Sequence, residues 1–376
     1  MEFIPNDTLL ADDTNANSHV DGYNNFRATV HYVIIPIICG LGILGNLLNL
    51  CVFSRRRRKT DVSELEQASL IALTFLTLAD LLFCLTGLCV GIVEGYLSGT
   101  RALAMYATAY KTALLNTFLF WSTWIVTAMA LQRYVIIRHP LTARSKTTPK
   151  QVMLVNVVVC SASIAFNVPL YFQYSVYTSR CGASCMQYYV YIGQLFQSSR
   201  FASTYHILWA TFGAVIPALL LTCCNISFIT EIFRQKKKFQ DRKTTTRLLS
   251  TSKHAQNQVT LLRTAVVLVA IIAMFDVLVL PSMVLDIFLP NVATLSESRY
   301  RAYMYAVTTA NLAQAVNFSA NFVLYSATSR NFRHAASAQL NNLRKCAKYV
   351  KQGSSGPLRF SSRHQRTAST KDAVTS

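Results

Sequence analysis

Leu119-Phe-Trp-Ser-Thr-Trp-Ile-Val-Thr-Ala-Met-Ala-Leu-Gln-Arg-Tyr-Val-Ile-Ile-Arg-His-Pro140 is the stretch that decides how this chain is read. It begins as an almost uncharged apolar run and ends abruptly in Arg133, Tyr134, Arg138 and Pro140. An arginine closing a long apolar helix belongs at a membrane face, where its head group reaches water. A second polar residue stands behind it. Ser122 lies 11 residues before Arg133, and 11 steps of about 100° return to within about 20° of the starting direction. Lys111 lies a further 11 residues back. One face of this helix therefore carries Lys111, Ser122 and Arg133 from one side of a membrane to the other.

The rest of the 376 residues extends that reading. Only 14% are charged and 52% are hydrophobic, against roughly 25% charged in a soluble domain. Apolar spans at about 29–53, 68–96, 104–134, 152–173, 204–233, 262–288 and 301–326 are each long enough to cross the roughly 30 Å hydrocarbon core. The segments after the first, third, fifth and seventh spans hold 29 of the 36 Lys and Arg. That bias puts the N-terminus outside and the C-terminus inside, and an odd number of spans requires the same. The net charge of +20 thus reads as a topology signal, not as nucleic-acid binding. The first 28 residues are polar and acidic, which argues against a cleavable signal peptide.

The chain accordingly reads as an all-α membrane protein: a seven-transmembrane helix bundle over 29–328, preceded by an extracellular tail over 1–28. Residues 329–349 read as an amphipathic eighth helix lying on the inner membrane surface against lipid, with Phe332 and Leu340 on its apolar side. Residues 350–376, rich in Ser and Thr, read as a disordered cytoplasmic tail. Asn6 heads a glycosylation acceptor outside, and Cys346 is a lipidation candidate inside. Serines and threonines among the basic residues of the tail are phosphorylation candidates; the alternative is a simple solvated tail.

Polar side chains within hydrocarbon are costly and turn toward the bundle interior. The mid-membrane set is Asn46, Asp80, Ser122, Asn317 and Asn321, the last two spaced i, i+4 with Tyr325 following at i+8. A carboxylate, a hydroxyl and two amides are hard oxygen donors that suit a small cation such as Na⁺. The alternative is a hydrogen-bond network holding no ion. Toward the outer ends stand Glu94, Lys111 and Asp286. Both signs of charge in one cavity suit a peptide with a charged side chain and a polar terminus, although the three groups could equally pair with one another.

Gly42-Ile-Leu-Gly-Asn46, Leu78-Ala-Asp80, Gln132-Arg-Tyr134, Pro217, Phe275 with Pro281, Asn321-Phe-Val-Leu-Tyr325 and Phe332-Arg333 occur in order across the spans. In this the chain resembles the rhodopsin-like (class A) G-protein-coupled receptors over about residues 29–349. The Arg138-His-Pro140 and Leu280-Pro-Ser282 wording is most similar to invertebrate FMRFamide-type neuropeptide receptors. The resemblance implies a cell-surface receptor that activates heterotrimeric G proteins, with receptor kinase and arrestin as further partners. It implies that Asp80, Ser122, Asn317 and Asn321 form an allosteric sodium pocket and that no other cofactor is required. It also implies that Arg133 and Leu141 contact the G protein.

Departures from the family pattern carry expectations of their own. Gln132 stands where the family has an acidic residue, so the usual salt bridge restraining Arg133 is missing and higher basal signalling is expected than for Gln132→Glu. Val279 replaces the tryptophan of the sixth span, and Phe322 replaces the proline of the seventh, which should leave that helix straighter. Thr108 occupies the place of the family's disulfide cysteine; Cys181 and Cys185 pair with each other, or one reaches Cys89, and the sequence leaves both pairings open. The third span has no aspartate to hold an amine ligand and the seventh no lysine for a retinal Schiff base. A channel or transporter is the alternative class, but the chain shows no internal repeat or matched pair of broken spans. Metal-ligand clusters, phosphate loops and nucleophile–base pairs are absent from the sequence, which argues against an enzyme.

Overall fold

The computed structural model describes residues 14–60, 62–97, 101–138, 147–180, 186–245, 273–275, 277–288, 295–328 and 332–339, with 341 and 344 beside them. Five of the described helices are long and apolar enough to cross a membrane. They are α1 (Thr14–Thr29) running on into α2 (Ile35–Arg57), α3 (Glu64–Tyr96), α4 (Arg101–Arg138), α5 (Pro149–Asn167) and α6 (Ser199–Ala210) with α7 (Ile216–Thr245). Of the sixth span the structure describes the part carrying α8 (Leu280–Phe288). The seventh is α9 (Glu297–Thr328), 32 residues of unbroken α-helix. Its Gln314, Asn317 and Asn321 turn into the bundle, where all three are buried.

Helices α3, α5 and α6 start where the sequence offers a cap. The Ser63 hydroxyl accepts the Glu66 backbone N–H at 3.3 Å to open α3. Thr148 and Gln151 form a reciprocal capping box at the head of α5, with Pro149 in the first turn. Arg56 donates to Glu66 at 2.9 Å, tying the end of α2 to the start of α3. The apolar residues these helices leave exposed, among them Leu41, Leu44, Leu154, Ile207 and Val323, form a lipid-facing surface.

Two prolines shape the bundle. Before Pro36 and before Pro217 the chain adopts one π-turn each, Val30–Ile34 and Thr211–Val215. A helical proline lacks an N–H and crowds the carbonyl four residues back, so the preceding residue bonds five back and the extra residue absorbs the clash. Ile35 N–H thus reaches the Val30 carbonyl and Ile216 N–H the Thr211 carbonyl. The second π-turn frees the Phe212 carbonyl, which accepts the indole N–H of Trp124 on α4 at 3.1 Å.

Helix α2 packs tightly on α3 and α9 because two glycines let it. A Cβ on Gly42 would strike Ser319 and Cys84, and one on Gly45 would lie 2.9 Å from Phe322 Cβ. The close approach lets the Asn46 amide donate to the Phe318 carbonyl at 3.0 Å. Phe83 stacks on Phe318 at 3.8 Å between ring centroids, joining α3 to α9. The Trp209 indole donates to Asn167 Oδ1 at 3.0 Å and the Tyr205 hydroxyl to the Phe166 carbonyl at 3.0 Å, holding α6 to α5.

The structure adds one element that the sequence reading lacked. Between α5 and α6, β1 (Tyr174–Arg180) and β2 (Met186–Ile192) pair antiparallel with Tyr177 opposite Tyr189. Gly193 closes its base, donating to the Gln173 carbonyl at 2.9 Å, where a Cβ would meet the Phe172 carbonyl. At the start of the chain, α1 extends the first span well beyond residue 29, and Tyr23 and Phe26 pack on Tyr305 of α9. Residues 332–339 are helical, with Phe332, Ala336 and Gln339 on the buried side. Phe332 closes a ring cluster with Phe53, Phe322 and Tyr325 at centroid distances of 5.7 to 6.0 Å.

Candidate functional site

The face of α4 that carries Lys111, Ser122 and Arg133 meets a different partner at each of its three levels. Ser122, fully inside the bundle, donates to Asp80 Oδ1 at 3.1 Å. The other carboxylate oxygen of Asp80 accepts the Asn321 amide of α9 at 2.5 Å. Asp80 is 1% exposed and has no cationic partner among the described residues. An ionised Asp80 would have two neutral hydrogen bonds and no counter-charge among the described residues, a costly arrangement in a low-dielectric interior. Asn317 is buried on α9 one turn before Asn321, yet no hydrogen bond joins it to Asp80 among the described residues. Of the four oxygen-bearing residues read from the sequence, Asp80, Ser122 and Asn321 form one connected group and Asn317 stands beside it. Asn46 and Asn49, linked at 3.5 Å, continue the polar layer into α2.

At the Arg133 end, the guanidinium is nine-tenths buried and donates from Nη2 to the Ser69 hydroxyl of α3 at 2.6 Å. Ser69 passes its own proton to the Leu65 carbonyl at 2.8 Å. Gln132 takes no part, and its buried amide nitrogen has no hydrogen-bond partner among the described residues. The restraint on Arg133 therefore comes from a neutral hydroxyl on another helix, a residue the sequence reading did not single out. A signal for it was present: Ser69 stands 11 residues before Asp80, which sets it on the same inward face of α3.

At the Lys111 end, the ammonium donates to both oxygens of Glu94 at 2.8 and 3.0 Å. Thr108 adds a third hydrogen bond to the same carboxylate at 2.8 Å. The pair is partly buried, with Glu94 the less exposed side chain. Of the two readings of these charges, mutual pairing describes Glu94 and Lys111 in this structure. Asp286 falls in α8, but its side chain lies outside the described residues, as do Asn6, Leu141, Cys181, Cys185 and Cys346. Cys89 is described and carries a free, exposed thiol.

The altered sixth and seventh spans compensate for their missing residues. Val279 is fully buried at the tryptophan position, beneath Phe275. Pro281 has no N–H, and the Val279 carbonyl beside it accepts both the Ser282 backbone at 3.2 Å and the Ser282 hydroxyl at 2.7 Å. Gln314 of α9 donates to that hydroxyl in turn, so a polar side-chain link replaces an aromatic one between the two helices. Phe322, in the proline position, keeps α9 continuous and wedges against Gly45.

Comparison with known proteins places the chain in a family. The family described as 7 transmembrane receptor (rhodopsin family) matches residues 45–325. The chain is similar to the FMRFamide receptor of Drosophila melanogaster, 25% identical over 323 residues, which is 82% of this chain and 53% of that one. It is similar to neuromedin-U receptor 2 of Mus musculus, 29% identical over 137 residues, 36% of this chain and 33% of that one. Galanin receptor type 1 of Homo sapiens is 22% identical over 315 residues, 84% of this chain and 81% of that one. The matches to the first two span about half or less of those relatives' lengths.

Proposed function

The chain belongs to the rhodopsin family of seven-transmembrane receptors, and on that premise we propose that it is a cell-surface receptor for a neuropeptide that activates heterotrimeric G proteins. The observation that carries the reading is Arg133: a buried cation held, among the described residues, by one neutral hydrogen bond to a second helix. A charge held so lightly is released when the helices at that end separate, and a released guanidinium is a hydrogen-bonding tip for a partner's carbonyls or carboxylate. Leu141, just beyond Pro140, is the apolar residue we assign to the same contact. The orientation that follows from the basic residues puts Arg133 in the cytoplasm of a plasma-membrane protein, with 332–339 on the inner lipid surface.

The peptide reading rests on the relatives named as receptors for FMRFamide, neuromedin-U and galanin, and on charge. Glu94 and Lys111, closed on each other at rest, are groups that a peptide's arginine and carboxylate can separate and satisfy one by one; Asp286 is assigned to the same cavity. The sodium reading rests on the uncompensated carboxylate of Asp80. With the Ser122 hydroxyl rotated and the Asn317 and Asn321 carbonyl oxygens turned inward, the donor set suits a hard monovalent cation, and the ion would supply the missing counter-charge. Receptor kinase and arrestin are the partners we assign to the Ser- and Thr-rich tail. Screening amidated neuropeptides on cells expressing the chain with a promiscuous Gα tests the proposal: a peptide that evokes a G-protein signal supports it. Ligand-evoked current without G protein would replace it with the channel reading.

A further inference from the structure

Helices α2 and α3 each bring a cysteine to the same level of their shared seam. Cys39 on α2 and Cys84 on α3 are both fully buried, and both thiols are free. Each sulfur lies over a glycine of the opposing helix. A Cβ on Gly42 would come within 2.8 Å of Cys84 Sγ, and one on Gly87 within 2.9 Å of Cys39 Sγ. Cys39 and Gly42 are three residues apart, as are Cys84 and Gly87. Residues so spaced share a helix face, so each helix presents a thiol and a glycine together to the other. The seating is reciprocal, and it brings the two thiols into hydrogen-bonding contact.

Packing as a small apolar side chain accounts for either cysteine alone, but not for two thiols seated on each other's glycines. Pro36 against Gly91 and Tyr32 against Gly95 continue the close approach along α3. Cys84 also meets the Ser319 hydroxyl of α9 at 3.6 Å. Neither cysteine enters the ion, ligand or G-protein assignments made above. Two chemistries use a facing pair of thiols. A soft monovalent cation would take both as thiolates. That would add net negative charge one turn from Asp80, in an interior where an unpaired charge is costly. A disulfide is neutral and requires only that the sulfurs close to about 2.05 Å. Rotation at χ1 moves each sulfur over a glycine, where no Cβ obstructs it.

We propose that Cys39 and Cys84 are a redox-responsive pair, oxidised by hydrogen peroxide to a disulfide that locks α2 to α3. Both sulfurs are sealed within the seam, so the oxidant has to be small and uncharged, as hydrogen peroxide is. In the first step one sulfur attacks the peroxide. An S–O bond forms, the O–O bond breaks, and the thiol hydrogen leaves with the released oxygen as water. In the second step the other sulfur attacks this sulfenic acid. The S–S bond forms, the S–O bond breaks, and the remaining thiol hydrogen leaves in a second water. Each sulfur gives up one electron, and the peroxide takes up both. The new bond ties the seam covalently and replaces the contact between Cys84 and Ser319. The inference rests on the α2–α3 seam alone, so it stands or falls independently of the receptor's ligand and G protein.

The test is thiol mapping of the full chain in lipid nanodiscs. The reduced protein is treated with hydrogen peroxide, quenched with catalase, unfolded in SDS with N-ethylmaleimide, digested and read by mass spectrometry. The expected product is a peptide pair joining Cys39 to Cys84, lighter by two hydrogens than the separate peptides and parted by dithiothreitol. Both cysteines should leave the alkylated pool together. The Tm should shift upward, because the cross-link restricts the unfolded chain. Cys39→Ser should abolish both the link and the Tm shift. Gly87→Ala, which sets a methyl against Cys39 Sγ, should slow the linkage although both thiols are still present. Full recovery of both thiols at the highest peroxide that leaves the thermal transition intact would overturn the proposal. So would a sulfinic acid on one cysteine without a link, pairing of either with a third cysteine, or a link that forms as readily in the SDS-unfolded chain.

Discussion

Replacing Ser69 with alanine should convert this protein into a constitutively active receptor. Arg133 has one side-chain partner among the described residues, the Ser69 hydroxyl at 2.6 Å. A hydrogen bond from an ionised donor is worth about 1.5–3 kcal/mol. The lower figure applies, because Arg133 keeps 9% exposure and water can partly replace the lost acceptor. A loss of about 1.5 kcal/mol from the resting state alone shifts the balance toward the open state about tenfold. A resting population of about 1% open would rise to about 10%. The assay is ligand-free nucleotide exchange on a purified heterotrimer, at equal amounts of receptor in nanodiscs. Ser69→Thr, which keeps the hydroxyl, should stay at the wild-type rate, and Gln132→Glu, which supplies the carboxylate that is missing, should fall below it. A Ser69→Ala rate equal to wild type would refute the reasoning, because the only restraint assigned to Arg133 would then restrain nothing. Equal rates for wild type and Gln132→Glu would separately show that a carboxylate at 132 is irrelevant.

Three other perturbations probe the remaining layers. If Na⁺ is the counter-charge of Asp80, replacing choline by sodium at constant ionic strength should raise the Tm of wild type but leave that of Asp80→Asn unchanged, as linkage to a bound ion requires. Glu94→Gln should lower both thermal stability and peptide potency, the stability by about 1 kcal/mol; the exchange Glu94→Lys with Lys111→Glu should recover the stability but not the potency, as radioligand displacement will show. Gly45→Ala forces a methyl against Phe322 Cβ at 2.9 Å, an atom fixed to the backbone that cannot rotate away, so about 1–3 kcal/mol of stability should go, read as a lowered Tm in detergent.

Much of this architecture is legible from periodicity alone. The 11-residue spacing along α4 marks the inward face, and Ser122 does meet Asp80 while Arg133 does meet another helix. Asn321 was legible for the same reason, since costly polar groups have few places to go within hydrocarbon. What periodicity cannot supply is how two helices are rotated against each other. That rotation decides that Glu94 faces Lys111 and that Ser69, not Gln132, faces Arg133. Nor does the pattern show a carbonyl released by a π-turn, which is what brings Trp124 into the bundle's hydrogen bonding. The hairpin was legible in principle from the β-branched and aromatic run Met186-Gln-Tyr-Tyr-Val-Tyr-Ile192, but a segment between two apolar spans is easily read as a plain loop. The tryptophan and proline positions read as departures in the sequence; in the structure Gln314 bonds Ser282 across the two helices, and Phe322 packs against Gly45.

The measurement that bears most directly on the whole account is nucleotide exchange on Gα by the purified full chain, with and without a peptide found in the screen. The account predicts that the peptide accelerates exchange, and that Arg133→Ala abolishes the acceleration while the peptide still binds. Peptide binding that leaves exchange unchanged in wild type, or acceleration that survives in Arg133→Ala, would contradict it.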